Sequence, residues 1–419
     1  MPETAAIEDT IPTETDGVDY LGRLPDELWR LIFLATLPPR RGLAGDPITF
    51  FNGLTTLDNQ VLGQTQKQRA NMRLICKALQ SIALELLFTD VQLNIVSNSP
   101  VLFLKAVELG GSLSRHAGLF TRCLTFKLYK LGKVNAWKEA RYYQPLREIF
   151  KLCPNVGTVE VEASLKSQSE FTLDWLPSIN SLIWQGGYAH MGGISRILAR
   201  NAQIEDLLVE TGTSDTTLFR WPNESQPTIH LPHLKHLQLT GDGVSDIGSL
   251  SVPNVRWLNL EFVDMELKPR IVNFISANCL HLTFLQIQSR RKLGGSNNMD
   301  AVLDFIYLCP NLETVYLSDS WKGLYSPGNN RMTSSRNYEP HPSLHTGIFT
   351  THGSYHATGT LHSWGFHRPQ QRYPHFKRVI LRLTCSLPHN SEVYQKIKAE
   401  TLGLIGKFCT MYGTEIVLE

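Results

Sequence analysis

Large apolar residues recur at fixed offsets through the middle of this chain, and that recurrence restricts its fold more than any other feature. Counting from an anchor that is usually proline, they stand at +2, +5 and +7. The eight sets are Pro154/Val156/Val159/Val161, Pro177/Ile179/Leu182/Trp184, Ala202/Ile204/Leu207/Val209, Pro232/Leu234/Leu237/Leu239, Pro253/Val255/Leu258/Leu260, Leu280/Leu282/Leu285/Ile287, Pro310/Leu312/Val315/Leu317 and Pro374/Phe376/Val379/Leu381. The first seven anchors give a mean period of 26 residues. A unit of that length is one short strand and a return segment, and it can bury its apolar side only against its neighbours. The spacing therefore predicts an α/β solenoid with a parallel sheet, in which each strand is a rung.

The Leu-x-x-Leu-x-Leu cadence resembles leucine-rich repeats over roughly residues 120 to 385, with a weaker first strand near Cys123 to Leu128. The asparagine that many such repeats carry three residues after the last strand leucine is missing; those positions hold Ser164, Gly187, Gly212, Asp242, Val263, Arg290, Ser320 and Thr384. Return segments with the i, i+3, i+4 stripe of a helix are Leu146/Ile149/Phe150, Ile194/Ile197/Leu198, Ile271/Phe274/Ile275 and Val302/Phe305/Ile306. The intervals 211 to 231 and 240 to 252, rich in Gly, Ser, Thr and Asp, read as loops. A helix from Glu392 to Met411 and a strand from Thr414 to Leu418 are expected to cap the end of the array.

One interval breaks the period. From Asp319 to Tyr373 the chain is dense in Gly, Ser, Asn and Tyr, and 64 residues separate the anchors Pro310 and Pro374. An insertion over residues 319–373, lying across the strands as a loop, is the expectation. It contains six histidines from His341 to His367, but the spacing of His352, His356, His362 and His367 fits no familiar metal motif and no Cys or carboxylate stands among them. No metal is expected.

Composition narrows the class of function. Forty basic and 38 acidic side chains leave a formal charge of +2, so overall charge implies neither nucleic acid nor a membrane surface as partner. No apolar run is long enough to span a bilayer and the N-terminus has no signal-peptide pattern, which leads to the expectation of an intracellular protein of the cytoplasm or nucleus. Residues 1–20, with six acidic and no basic side chains, read as a disordered acidic tail. Seven widely spaced cysteines form no C-x-x-C pair and suit free thiols; Cys153, Cys279 and Cys309 each stand just before an anchor, a place for small buried residues. No Gly-x-Ser-x-Gly, His-Glu-x-x-His or P-loop motif is present, and Gly241-Asp242-Gly243 lacks the third glycine of a dinucleotide fingerprint. The expectation is a protein that is not an enzyme and has no cofactor.

A second motif precedes the repeats. Leu24-Pro25-Asp26-Glu27-Leu28-Trp29-Arg30-Leu31-Ile32-Phe33 carries helix-start signals, closes at Leu37-Pro38-Pro39, and is apolar on two sides, so it needs more than one packing partner. After a gap come Met72-Arg73-Leu74-Ile75-Cys76-Lys77-Ala78-Leu79 and then Ile82, Ala83, Leu86, Leu87 and Phe88. This ordered pair resembles the F-box family, most of all its fungal members with irregular repeats. It departs from the family in a long insertion at 40–66 and in Phe88, where tryptophan is frequent.

The resemblance implies a helical F-box over residues 21–92, a solenoid over 100–419 with a cap at 392–419, and a substrate-receptor role in a Skp–cullin–F-box ubiquitin ligase. Leu24, Pro25, Leu28, Ile32 and Phe33 would contact a Skp-type adaptor and through it a cullin, supported by Leu74, Cys76 and Leu79. The alternative is a repeat scaffold with no ligase connection. If +5 and +7 face the core, then +4, +6 and +8 face the other way. That face carries Glu160, Glu162, Asp206 and Glu210 first, Trp257, Phe284 and Tyr316 in the middle, and Arg378 and Arg382 last. The three rings and two arginines are the expected contacts for an unidentified protein substrate. The alternative is that the rings pack beneath the 319–373 insertion.

Overall fold

Proline suits the second position of a β-turn because its ring presets φ near −65°. In the computed structural model all seven anchors among the described residues occupy that position, Pro177 lying outside them. The N–H at +2 donates to the carbonyl of the residue before the anchor, from Val156 to Cys153 (3.3 Å), Leu234 to Leu231 (3.2 Å) and Leu312 to Cys309 (3.0 Å), for example. This turn ends each return segment and aims the chain into the next strand. The N–H groups at +3 and +4 then both reach the +3 carbonyl of the preceding repeat, as Arg256 and Trp257 do to Lys235 (2.7 and 3.0 Å).

The structure describes residues 25–35, 45–52, 80–94, 99–109, 118–128, 136–163, 178–186, 191–210, 228–262, 268–289, 297–317, 339–351, 373–383, 391–412 and 414–418, with positions 42, 64, 67, 71 and 176. Among them α1 (Asp26–Ala35), α2 (Pro47–Asn52) and α3 (Gln80–Thr89) lead into β1 (Asp90–Asn94). There follow α4 (Ser99–Leu109), β2 (Cys123–Leu128), α5 (Ala136–Leu152), β3 (Thr158–Ala163), β4 (Ser181–Gly186), α6 (Met191–Arg200) and β5 (Asp206–Glu210). Next are β6 (Ile229–His230), β7 (His236–Thr240), a 3₁₀ turn at Gly241–Ser249, β8 (Leu250–Ser251), β9 (Trp257–Phe262), α7 (Lys268–Asn278) and β10 (Phe284–Ser289). The chain closes with α8 (Asn297–Tyr307), β11 (Thr314–Leu317), β12 (Thr346–Thr351), β13 (Arg378–Leu383), α9 (Glu392–Tyr412) and β14 (Glu415–Leu418).

Apart from the small β6–β8 pair, these strands form one twelve-stranded sheet in chain order, and every pairing in it is parallel. The +5 residues make one continuous row across it, Leu124, Val159, Leu182, Leu207, Leu237, Leu258, Leu285 and Val315. No +2, +5 or +7 residue of the eight repeats is more than 8% exposed. All four expected helical stripes are helices whose apolar residues lie in the same core. The interval 240 to 252, expected as a loop, is a 3₁₀ turn that buries Val244 and Ile247; residues 211–227 lie outside the described residues. The sheet starts at Asp90, ahead of the residue 100 expected for the solenoid.

The expectation of an interruption from Asp319 to Tyr373 is corrected in its second half. Strand β12 pairs with β11 on one side and β13 on the other, so the 64-residue interval holds two steps of 32, anchored at Pro310, Pro342 and Pro374. The repeat Pro342/Leu344/Gly347/Phe349 escapes the pattern because its +5 residue is glycine. A Cβ at Gly347 would stand 2.7 Å from Cε2 and 2.9 Å from Cζ of Phe349, and 3.1 Å from Cζ of Phe376. The rings of its own +7 residue and of the next repeat's +2 residue fill the place that a +5 side chain takes elsewhere.

An asparagine ladder exists, at a different offset from the one that leucine-rich repeats commonly carry. Asn155, Asn254 and Asn311, each directly after an anchor proline, donate through Nδ2 to the carbonyls of Leu119, Pro232 and Leu280 in the preceding repeat (2.8, 2.7 and 2.7 Å). Buried Asn278 donates to the Phe274 carbonyl (3.0 Å) and accepts from the Val252 N–H (2.7 Å), pinning a helix end to the adjoining turn. His341 does similar work before Pro342: Nε2 meets the Cys309 carbonyl (3.0 Å) and Nδ1 accepts from the Leu344 N–H (3.1 Å). Loops that run between solenoid rungs need such partners, because a buried backbone group left unpaired costs about as much as a lost hydrogen bond.

Candidate interaction surface

The residues at +4, +6 and +8 share the sheet face turned away from the core. Its central row runs Gln92, Thr125, Glu160, Ile183, Leu208, Gln238, Asn259, Gln286, Tyr316, Ile348, Ile380 and Val417. Beside it lie Asp206, His236, Trp257, Phe284 and Arg378 in the +4 row. The sheet register thus assembles the expected candidates on one face, with acids at one end, rings in the middle and arginines at the other.

The middle of that face is covered, which corrects the expectation that it is open. Phe284 and Tyr316 are 3% and 7% exposed, and Trp257 is half-buried. Their cover is α2, which lies within the 40–66 insertion of the N-terminal motif. Phe50 and Phe51, 3% and 1% exposed, form a second apolar cluster with Ile183, Leu208, Phe284, Tyr316, Ile348 and Ile380. The ring of Phe50 packs on His236 (4.7 Å between centroids) and edge-on to Trp257 (5.5 Å), while Phe51 stacks on Phe284 (6.1 Å). His236 is itself stacked on Trp257 at 3.9 Å and stands 2.6 Å from Asp206 through Nδ1.

Local chemistry explains why α2 forms there. Asp46 caps the helix, its carboxylate accepting the Thr49 N–H (2.9 Å), and Pro47 occupies the first helical position, where no donor is needed. Asn52 and Gln286 exchange amide hydrogen bonds across the interface (3.5 and 3.2 Å). Gly42, at φ +72°, lies directly on the sheet; a Cβ there would be 2.7 Å from Cδ1 of Ile183, and its N–H donates to the Phe50 carbonyl (2.7 Å). Glycine alone combines that backbone angle with that close approach. The Asp-Pro start followed by paired phenylalanines was the sequence signal for a seated helix.

Arg382 and Arg378 flank this cover. The Arg382 guanidinium lies 5.9 Å from the Tyr316 ring, and Arg378 is exposed, with Nε 3.4 Å from Glu415. At the acidic end Glu160 and Glu162 are 2% and 1% exposed; Glu160 accepts from the Thr125 hydroxyl (3.0 Å) and Glu162 lies 3.7 Å from the Lys127 ammonium.

At the N-terminal motif, α1 packs against α3, where Arg30 meets Glu85 through Nη2 (3.0 Å) and Nε (3.1 Å). The two sequence segments of the motif are thereby in contact. On α1, Leu28, Leu31 and Ile32 are 43%, 61% and 42% exposed, an i, i+3, i+4 stripe left toward solvent. Pro25 is exposed and precedes the helix, its carbonyl accepting the Leu28 N–H (3.0 Å). Leu24, Leu74, Cys76 and Leu79, and the side chain of Phe33, lie outside the described residues, as do His352, His356, His362 and His367.

The described thiols are built into the core. Burial pushes Cys153 up to about 11 and Cys309 up to about 12, and it pushes Cys279 well above the usual thiol range, with neighbouring Cys309 adding to the rise. Burial lowers His341 from the ordinary imidazole value, opposed by its backbone hydrogen bonds. Among the described residues no His, Cys, Asp and Glu group suited to a metal ion occurs, and no helix is long and apolar enough to cross a membrane.

The fold defines a leucine-rich-repeat-like α/β solenoid with a long parallel sheet. No protein-family model and no curated protein matches the chain. Among solved structures it is similar to a Bacteroides fragilis protein solved by structural genomics, at 14% identity over 76% of this chain and 71% of that one, with a TM-score of 0.32. It is also similar to TLR13 in its complex with ssRNA13, at 10% identity over 64% of this chain and 40% of that one, with a TM-score of 0.29. The repeat architecture rests on the sheet itself.

Proposed function

We propose that this chain is a substrate receptor of a cullin-based ubiquitin ligase, in which an F-box docks on a Skp-type adaptor and the solenoid holds a protein substrate. One observation carries the reading. The helix with the F-box-like Leu-Pro-x-Glu-Leu opening leans on α3 through Arg30 and Glu85, yet keeps Leu28, Leu31 and Ile32 toward solvent. An exposed aliphatic stripe on a helix already held on its other side suits a protein partner. The chain performs no bond chemistry in this reading; it brings substrate lysines to a ubiquitin-conjugating enzyme.

The test is capture of a purified Skp-type adaptor by the full chain and by a Leu28→Ala/Ile32→Ala variant. Truncating anchors of such an interface costs about 2 kcal/mol or more, roughly a thirtyfold loss of affinity. Because both side chains are substantially exposed, the circular dichroism of the variant should be unchanged. Adaptor binding that survives the double substitution sinks the assignment of this stripe, and a natural chain that never binds the adaptor leaves the repeat scaffold as the answer.

A further inference from the structure

We infer that α2 is a tethered occupant of a peptide-binding surface, and that the substrate segment it yields to carries two adjacent aromatic side chains followed by a hydrogen-bonding group such as a carboxamide. The inference rests on the reading of this sheet face as the substrate surface and specifies both its ligand class and its control. The occupant is part of the fold: Phe50 and Phe51 fill the ring-lined centre made by His236, Trp257, Phe284 and Tyr316, and Asn52 pairs with Gln286.

Two features mark α2 as replaceable rather than as part of the core. Its six residues are far too few to hold a helix alone, so its order is supplied by the surface on which it sits. The cover is also an imperfect match for what lies beneath. Gln238 and Asn259, 1% and 2% exposed, are neighbours in the central row between Leu208 and Gln286, and their oxygens Oε1 and Oδ1 have no hydrogen-bond partner among the described residues. A buried acceptor left unpaired is costly. A segment that places N–H donors over these two oxygens while its rings take the positions of Phe50 and Phe51 would make contacts that α2 does not.

A segment tethered in the same chain competes at an effective concentration of about 1 mM. A free peptide therefore binds the natural chain weakly, in proportion to the small fraction in which α2 is lifted away. Removing the rings of α2 should unmask the surface.

The probe is a fluorescein-labelled heptapeptide with the sequence of residues 46–52, read by fluorescence anisotropy against the full chain. A Phe50→Ala/Phe51→Ala variant is expected to bind it at least tenfold more tightly than the natural chain. That gain should disappear when Phe284→Ala is added, or when both phenylalanines of the peptide are alanine. A folded variant with no saturable binding, or with the affinity of the natural chain, overturns the inference. So does a chain that cannot fold without the two rings, since α2 would then be core; the milder Phe51→Leu/Asn52→Ala variant, which keeps an apolar group in place, separates that outcome from poor expression and should still bind more tightly than the natural chain. Adaptor capture scored on the same proteins depends on α1 rather than α2. Peptide binding lost with adaptor binding kept overturns the occupant alone, and the reverse result overturns the ligase reading alone.

Discussion

Replacing Gly347 by alanine separates two opposite expectations. In an open strand, glycine to alanine is stabilising by about 0.5–1 kcal/mol, because glycine loses more freedom on folding. Here the added Cβ would meet two ring carbons of Phe349 at 2.7 and 2.9 Å and one of Phe376 at 3.1 Å, where carbon pairs prefer about 3.5–4.0 Å. Phe349 and Phe376 are 1% and 8% exposed, so neither ring can swing freely aside. Overpacking of this kind costs about 1–3 kcal/mol, which exceeds the glycine term and makes the net change destabilising. Because a stacked array unfolds by neighbouring repeats, the effect belongs in β11, β12 and β13, and hydrogen exchange resolved by segment is the suitable assay. Exchange there should speed up several-fold while β3 to β5 is unaffected. Combining Gly347→Ala with Phe349→Leu should recover much of the loss, as contacting residues are coupled by about 0.5–3 kcal/mol. A Gly347→Ala chain that is more stable than the natural one would refute the account of why this repeat lacks its +5 residue.

Acid should loosen the same region. His341 has a folded pKa below its unfolded value, so the unfolded chain takes up the proton first and stability falls as pH drops below about 6.5. The urea midpoint measured from pH 8 down to pH 5 should decline more steeply for the natural chain than for His341→Asn, and equal slopes would refute the buried neutral imidazole. Cys153, Cys279 and Cys309, all buried with raised pKa, should resist iodoacetamide at pH 8 in the folded chain and react within the usual time in denaturant; rapid labelling of the folded protein at these positions would contradict their place in the core.

The rungs were legible because each is specified within its own dozen residues. An anchor that can start a β-turn, followed by apolar side chains at +2, +5 and +7, places Val159, Leu237, Leu258 and Val315 in one row without any knowledge of distant chain. Where a local residue departs from the code, as at Gly347, the periodic signal fails, although Pro342, Leu344 and Phe349 stand at the right offsets. The asparagine ladder is readable too, in the repeated Pro-Asn of 154–155, 253–254 and 310–311, which stands at the turn rather than beyond the strand.

Periodicity alone determined that this chain builds a parallel sheet, which side chains enter its core, and which share the opposite face. Only the tertiary structure decided what that opposite face touches. Asn52 meets Gln286 across 234 positions of sequence, and Phe50 meets Trp257 across a similar span. Such pairs leave no periodic trace, since a short helix with two phenylalanines reads the same wherever it lands. Its location is fixed by fit to a surface that exists only once the rungs have stacked.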